Sequence, residues 1–154
     1  MAAPLTCRLF FVLLAFCAGW SYAYGRSTSP AGIEGLYALT ADRAATLQVT
    51  KAGTRYEVMV SGGTGGATGG GAPADCPVKG MGVLKGNILT AAFAPLETDT
   101  FFYSKGQADR ERRKLRIVFD RDRRTARITR ADVSGYCGLG ANLTGRYLRV
   151  QSPP

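Results

Sequence analysis

Thr46-Leu47-Gln48-Val49-Thr50 and Arg55-Tyr56-Glu57-Val58-Met59-Val60, separated by Lys51-Ala52-Gly53-Thr54, form the stretch whose reading decides the fold. Leu47 and Val49 alternate with Thr46, Gln48 and Thr50, and Tyr56, Val58 and Val60 alternate with Arg55, Glu57 and Met59. A period of two puts every second side chain on one face of an extended strand. Two such runs around a Gly-bearing turn predict a β-hairpin.

The same pattern continues on both sides. Upstream, Gly35-Leu36-Tyr37-Ala38-Leu39 reads as a first strand. Downstream, Cys76 to Val83 and Ile88 to Phe93 form a second hairpin around Lys85-Gly86-Asn87, with Pro77 limiting where its ladder begins. Leu115, Ile117 and Phe119 face one way and Arg116 and Val118 the other. After a turn at Asp120-Arg121-Asp122-Arg123, Ala126 and Ile128 alternate with Thr125, Arg127 and Thr129 to complete a third hairpin. Gly145 to Val150 makes the last strand. Pro95 to Arg112 is a longer polar excursion interrupted by Phe101-Phe102-Tyr103, which either caps an open end of the sheet or offers a partner patch. No window carries a helical stripe, and Asp109 to Lys114 suits a single turn of helix at most.

About eight short strands joined mostly by hairpins predict an all-β antiparallel meander that closes into a barrel, or a two-sheet sandwich. Gly35-Leu36-Tyr37 in the first strand is echoed by Gly145-Arg146-Tyr147 in the last. The two are expected to be neighbours at a closed seam, because an open edge would be a template for aggregation.

The chain divides into a signal peptide (1–23), a flexible arm (24–32), one β-domain (33–150) and a short tail (151–154). The first part carries Arg8, the apolar run Leu9 to Phe16, and Ser21-Tyr22-Ala23, whose small residues are what a signal peptidase reads. Cleavage is expected near Ala23, leaving about 130 residues, a one-domain length. The apolar run is too short to span a bilayer comfortably, so no transmembrane segment is expected in the mature chain. Cys7 and Cys17 leave with the signal. Cys76 and Cys137 then remain, and an exported chain with two thiols is expected to join them. The destination is periplasmic or secreted. Residues 61–74 are half glycine, without the lysine and strand-to-helix setting of a phosphate-binding loop, and read as a surface connection.

Net charge is +9, reduced by one when Arg8 is lost, so attraction to anionic partners is expected. Histidine is absent, which excludes Ser-His, Cys-His and His-metal chemistry. The closely spaced carboxylates, Glu97 with Asp99 and Asp120 with Asp122, suit turn capping better than acid–base work or a calcium site. No enzymatic activity, cofactor or metal is expected. Between Lys105 and Arg130 basic residues greatly outnumber acidic ones. In the third hairpin Arg116 and Arg127 share the outward face, and Arg123 and Arg124 lie at its tip. Such a face suits bidentate contacts to phosphates or carboxylates, and otherwise reads as a solvated hairpin with charge pairs. Export argues against a nucleic-acid partner.

Cys76-Pro77-Val78-Lys79-Gly80, the Gly86-Asn87 hairpin, Tyr136-Cys137-Gly138 and Gly145-Arg146-Tyr147 together resemble small exported bacterial β-domains. Such domains occur alone or beside lysozyme-inhibitor-like modules. The resemblance covers about two thirds of the mature chain and rests on cysteines, glycines and turn positions, so it speaks to fold more than to activity. It implies a non-catalytic periplasmic or secreted binding protein that inhibits, or gives immunity to, a peptidoglycan hydrolase or toxin. Some periplasmic lysozyme inhibitors present a Ser-Gly-x-Tyr loop, whereas here Ser134-Gly135-Tyr136 lacks the intervening residue. A basic inhibitor would meet a basic lysozyme against repulsion, which favours an acidic target. The alternative is an envelope module that binds an anionic glycolipid or polymer through the arginine hairpin.

Overall fold

The computed structural model describes residues 32–40, 45–62, 76–137 and 141–150. The expected signal peptide, most of the arm, the glycine-rich connection beyond Gly62, Gly138 and the tail lie outside the described residues; Ser61 and Gly62, expected in that connection, extend strand β3, paired with Thr46 and Ala45.

Eight strands close into an antiparallel barrel: β1 (Gly35–Leu39), β2 (Ala45–Ala52), β3 (Arg55–Gly62), β4 (Val78–Lys85), β5 (Ile88–Phe93), β8 (Lys114–Phe119), β9 (Thr125–Ala131) and β10 (Gly145–Arg149). Each pairs with its neighbour along the chain, and β1 pairs with β10 to complete the ring. The two-residue strands β6 (Leu96–Glu97) and β7 (Phe102–Tyr103) form a separate small hairpin, followed by helix α1 (Lys105–Glu111). The barrel, not the sandwich, is the architecture.

Period two explains the core. In β2, Ala45, Leu47 and Val49 are buried while Thr46, Gln48 and Thr50 are exposed. Val58 and Val60, Leu89 and Ala91, Leu115, Ile117 and Phe119, and Ala126 and Ile128 fill the same interior from the other strands. Each fully buried Val, Leu, Ile or Phe contributes about 1.5–3 kcal/mol relative to exposure.

The seam uses one motif twice. Tyr37 and Tyr147 are both fully buried, and each hydroxyl donates to the carbonyl four residues back, Ile33 at 2.9 Å and Leu143 at 2.8 Å. The glycine between each pair, Gly35 or Gly145, has φ of +145° or +152°, a region that residues with a Cβ rarely adopt.

The helix corrects the sequence expectation of one turn at Asp109 to Lys114. It begins earlier, because Ser104 and Gln107 make a reciprocal capping box: the Gln107 N–H donates to Ser104 Oγ (3.2 Å) and the Ser104 N–H to Gln107 Oε1 (2.8 Å). It ends at Arg112, whose φ of 49° is left-handed. None of its residues is fully buried, which is why no apolar stripe announced it. No helix among the described residues is long and apolar enough to cross a membrane.

One end of the barrel carries the tight turns after β2, β4 and β8. The other carries the excursion from β5 to β8 and the connection from β9 to β10. Cys76, just before β4, and Cys137, in that last connection, form a disulfide with Cα atoms 5.5 Å apart.

Candidate functional site

Two regions hold most of the residues singled out from the sequence, and they lie on different parts of the barrel, with the tip arginines Arg123 and Arg124 in the turn after β8. The first is the Ser134–Tyr136 turn at the loop end. The amides of Tyr136 and Cys137 both donate to the Val133 carbonyl at 3.0 Å, and Gly135 takes φ of +69°. Arg113 holds the turn from below: its guanidinium donates to the carbonyls of Asp132 (2.7 Å) and Ser134 (2.6 Å), pairs with Glu111, and lies 5.7 Å from the Tyr136 ring centroid. Ser134 and Gly135 are exposed.

Tyr136 is engaged inward. Its ring meets Phe93, Phe101 and Tyr103 at centroid separations of 5.0, 4.9 and 4.8 Å, and its hydroxyl donates to the Pro77 carbonyl at 3.0 Å beside Cys76. Burial pushes the Tyr136 phenol up, with the neighbouring Tyr103 adding to the shift. Tyr103 is itself raised, first by burial and then by Glu111. Phe101 and Tyr103 therefore pack into this cluster, while Phe102 is 65% exposed.

The second region is the outer face of β8, β9 and β10. Arg116 and Arg127 both point outward, as alternation requires. Register adds two arginines that sequence reasoning missed: Arg116 lies directly opposite Arg130, and Arg127 directly opposite Arg146. Strict alternation from Ala126 and Ile128 would turn Arg130 into the core. A shift in register at Arg116/Ile117 re-aims it outward, and the Thr129 hydroxyl donates to the Arg116 carbonyl at 3.3 Å. Only pairing could reveal Arg146, because it is far from Arg127 in the chain.

The two tip arginines differ. Arg124 is exposed beside Asp122, at 3.8 Å. Arg123 is half-buried with φ of +60°; it folds back so that its guanidinium donates to the Gly86 carbonyl at 3.4 Å, with Nη1 buried and without a partner among the described residues. Its carbonyl accepts a 3.3 Å hydrogen bond from Tyr37. Arg123 thus serves the turn end, apart from the outward face.

Like charges directly opposite on a sheet destabilise it. Arg130 is relieved by Asp132, at 2.8 Å, but Arg116, Arg127 and Arg146 have no carboxylate partner among the described residues. The carboxylates of the turn are used locally: Asp120 accepts from the Thr125 amide (2.9 Å) and Asp122 from the Arg124 amide (3.0 Å).

These features define a disulfide-closed, eight-stranded antiparallel barrel with an arginine-paired outer face and a pinned turn at its loop end. Comparison with protein-family models, curated proteins and solved structures finds no match to the chain.

Proposed function

We propose that this is an exported, non-catalytic binding module whose β8–β9–β10 face takes an anionic envelope polymer or glycolipid headgroup. The observation that carries the reading is the double like-charge pairing, Arg116 with Arg130 and Arg127 with Arg146. Guanidinium groups aligned across adjacent strands repel one another, and a phosphate or carboxylate array between them removes the repulsion through bidentate hydrogen bonds. The Cys76–Cys137 bond supports an oxidising compartment, in keeping with the expected signal peptide and a periplasmic or secreted location. The absence of histidine and the use of Asp120 and Asp122 in a turn support a role without catalysis.

The test is titration of fluorescent lipopolysaccharide and lipoteichoic acid against the wild type and an Arg116→Ser, Arg127→Ser, Arg146→Ser triple variant. Binding that weakens steeply with salt and is lost in the variant supports the reading. Equal binding by the variant removes it.

A second reading, inhibition of or immunity to a peptidoglycan hydrolase or toxin, is favoured by the exposed Ser134–Gly135 turn, which Arg113 holds ready-shaped. Full activity of a panel of such hydrolases in the presence of excess protein removes that reading.

A further inference from the structure

A groove of about 720 Å³ runs between helix α1 and the outer surface of the barrel, within the roughly 300–1,000 Å³ typical of small-molecule sites. Register builds its floor: Met81 of β4 lies opposite Ala92 of β5, and Ala92 opposite Lys114 of β8, all on the outward side. Beyond Ala92 the floor continues through Ala94 and Pro95, and Ala108 of α1 forms the facing wall. Small side chains at Ala92, Ala94 and Ala108 leave it open, and its lining is mostly apolar.

Its rim is cationic. Arg55, Lys105, Arg112 and Lys114 line it with a single carboxylate, Asp109, which is taken by Lys105 at 2.7 Å. Arg55, Arg112 and Lys114 have no carboxylate partner among the described residues. Arg112 stands at the left-handed C-cap of α1, where glycine would sit without strain.

We propose that this groove binds a free long-chain fatty acid, the acyl chain on the Met81–Ala92–Pro95 floor and the carboxylate at the Arg112–Lys114 rim. An apolar floor alone would suit any oily ligand; the three uncompensated cations select one with a negative end. The groove adjoins the arginine face on the outward side of β8, where Lys114 lines the groove and Arg116, two residues on, belongs to the face; the inference does not rest on the proposed function.

The experiment is titration of the protein with monomeric cis-parinaric acid, followed by displacement with oleate. Saturable one-to-one binding and displacement are expected. Ala108→Trp, which fills the groove from a half-buried position of α1, should weaken binding at least tenfold, and oleyl alcohol should compete at least tenfold less well than oleate. Arg112→Gly should weaken binding several-fold while the urea midpoint stays the same or rises, an outcome that a merely structural arginine would not give. The proposal is overturned by an absence of saturable binding, by unchanged affinity in both variants, by equal competition from the alcohol, or by binding to anionic phospholipid vesicles without binding to monomeric oleate.

Discussion

Tyr37 and Tyr147 are mirrored across the barrel seam: each lies two residues after a glycine of positive φ, and each donates its hydroxyl to the carbonyl of an apolar residue four positions back. Because β1 and β10 run antiparallel, the two hydroxyls reach back in opposite directions along the seam. Either Tyr→Phe change keeps the ring but strands a buried carbonyl, and should lower stability by about 1–3 kcal/mol. Urea denaturation of the two single variants checks this, and midpoints equal to the wild type would refute it.

The disulfide spans a sequence separation of 61 residues. Loop-closure entropy puts its contribution at about 4 kcal/mol. A Cys76→Ser, Cys137→Ser double variant should therefore lose a large share of a small domain's stability, measured as a lowered denaturation midpoint. Mass spectrometry after alkylation without reductant should find both thiols of the wild type blocked.

On the outer face, Arg146→Glu turns a repulsive cross-strand pair with Arg127 into an attractive one. Stability should rise by about 0.5–1 kcal/mol at low ionic strength, and the gain should shrink in about 1 M salt. Anion binding should fall in the same variant. A stability gain with unchanged lipopolysaccharide affinity would separate the arginine pair from binding.

Stability should decline at both extremes of pH. Burial is the largest influence raising the phenols of Tyr37, Tyr103 and Tyr136 above their ordinary value. Their contribution is fully present below the unfolded tyrosine value of about 10 and is lost as pH rises beyond it, because the unfolded chain then releases protons the folded one retains. On the acid side, the Arg130 hydrogen bond holds the Asp132 carboxyl below the usual range. At Asp120 burial is the largest single influence and acts upward, but the hydrogen bonds around the carboxylate, those from Thr125 first and that with Asp122, together outweigh it and the net shift is downward. That stability is present above the unfolded carboxylate value of about 3.9 and is lost as pH falls through the lower folded values. Urea midpoints across the pH range, with tyrosinate absorbance followed on the alkaline side, measure both limbs.

Much of the barrel was legible in the chain because a strand's two faces are written by alternation. Leu47 and Val49, Val58 and Val60, and Leu115, Ile117 and Phe119 were placed inward on that basis, and all are buried. Helix α1 was misplaced because its start is set by the Ser104–Gln107 capping box and its faces are polar. Of the candidate site, Arg116 and Arg127 were legible as outward residues. Arg130 and Arg146 were not, since one depends on a register shift and the other on a long-range pairing. Arg123 was placed at the tip with Arg124, yet it folds back toward Gly86.

By itself, then, the sequence determined the strand content, the inward set and the hairpins, because these follow from local periodicity and turn chemistry. Only the tertiary structure decided that the sheet closes as a barrel, that Tyr136 packs inward beneath Arg113, and that arginines distant in the chain oppose one another. Those outcomes depend on which strands become neighbours and in what register, and a one-residue shift in register exchanges the face that every side chain occupies.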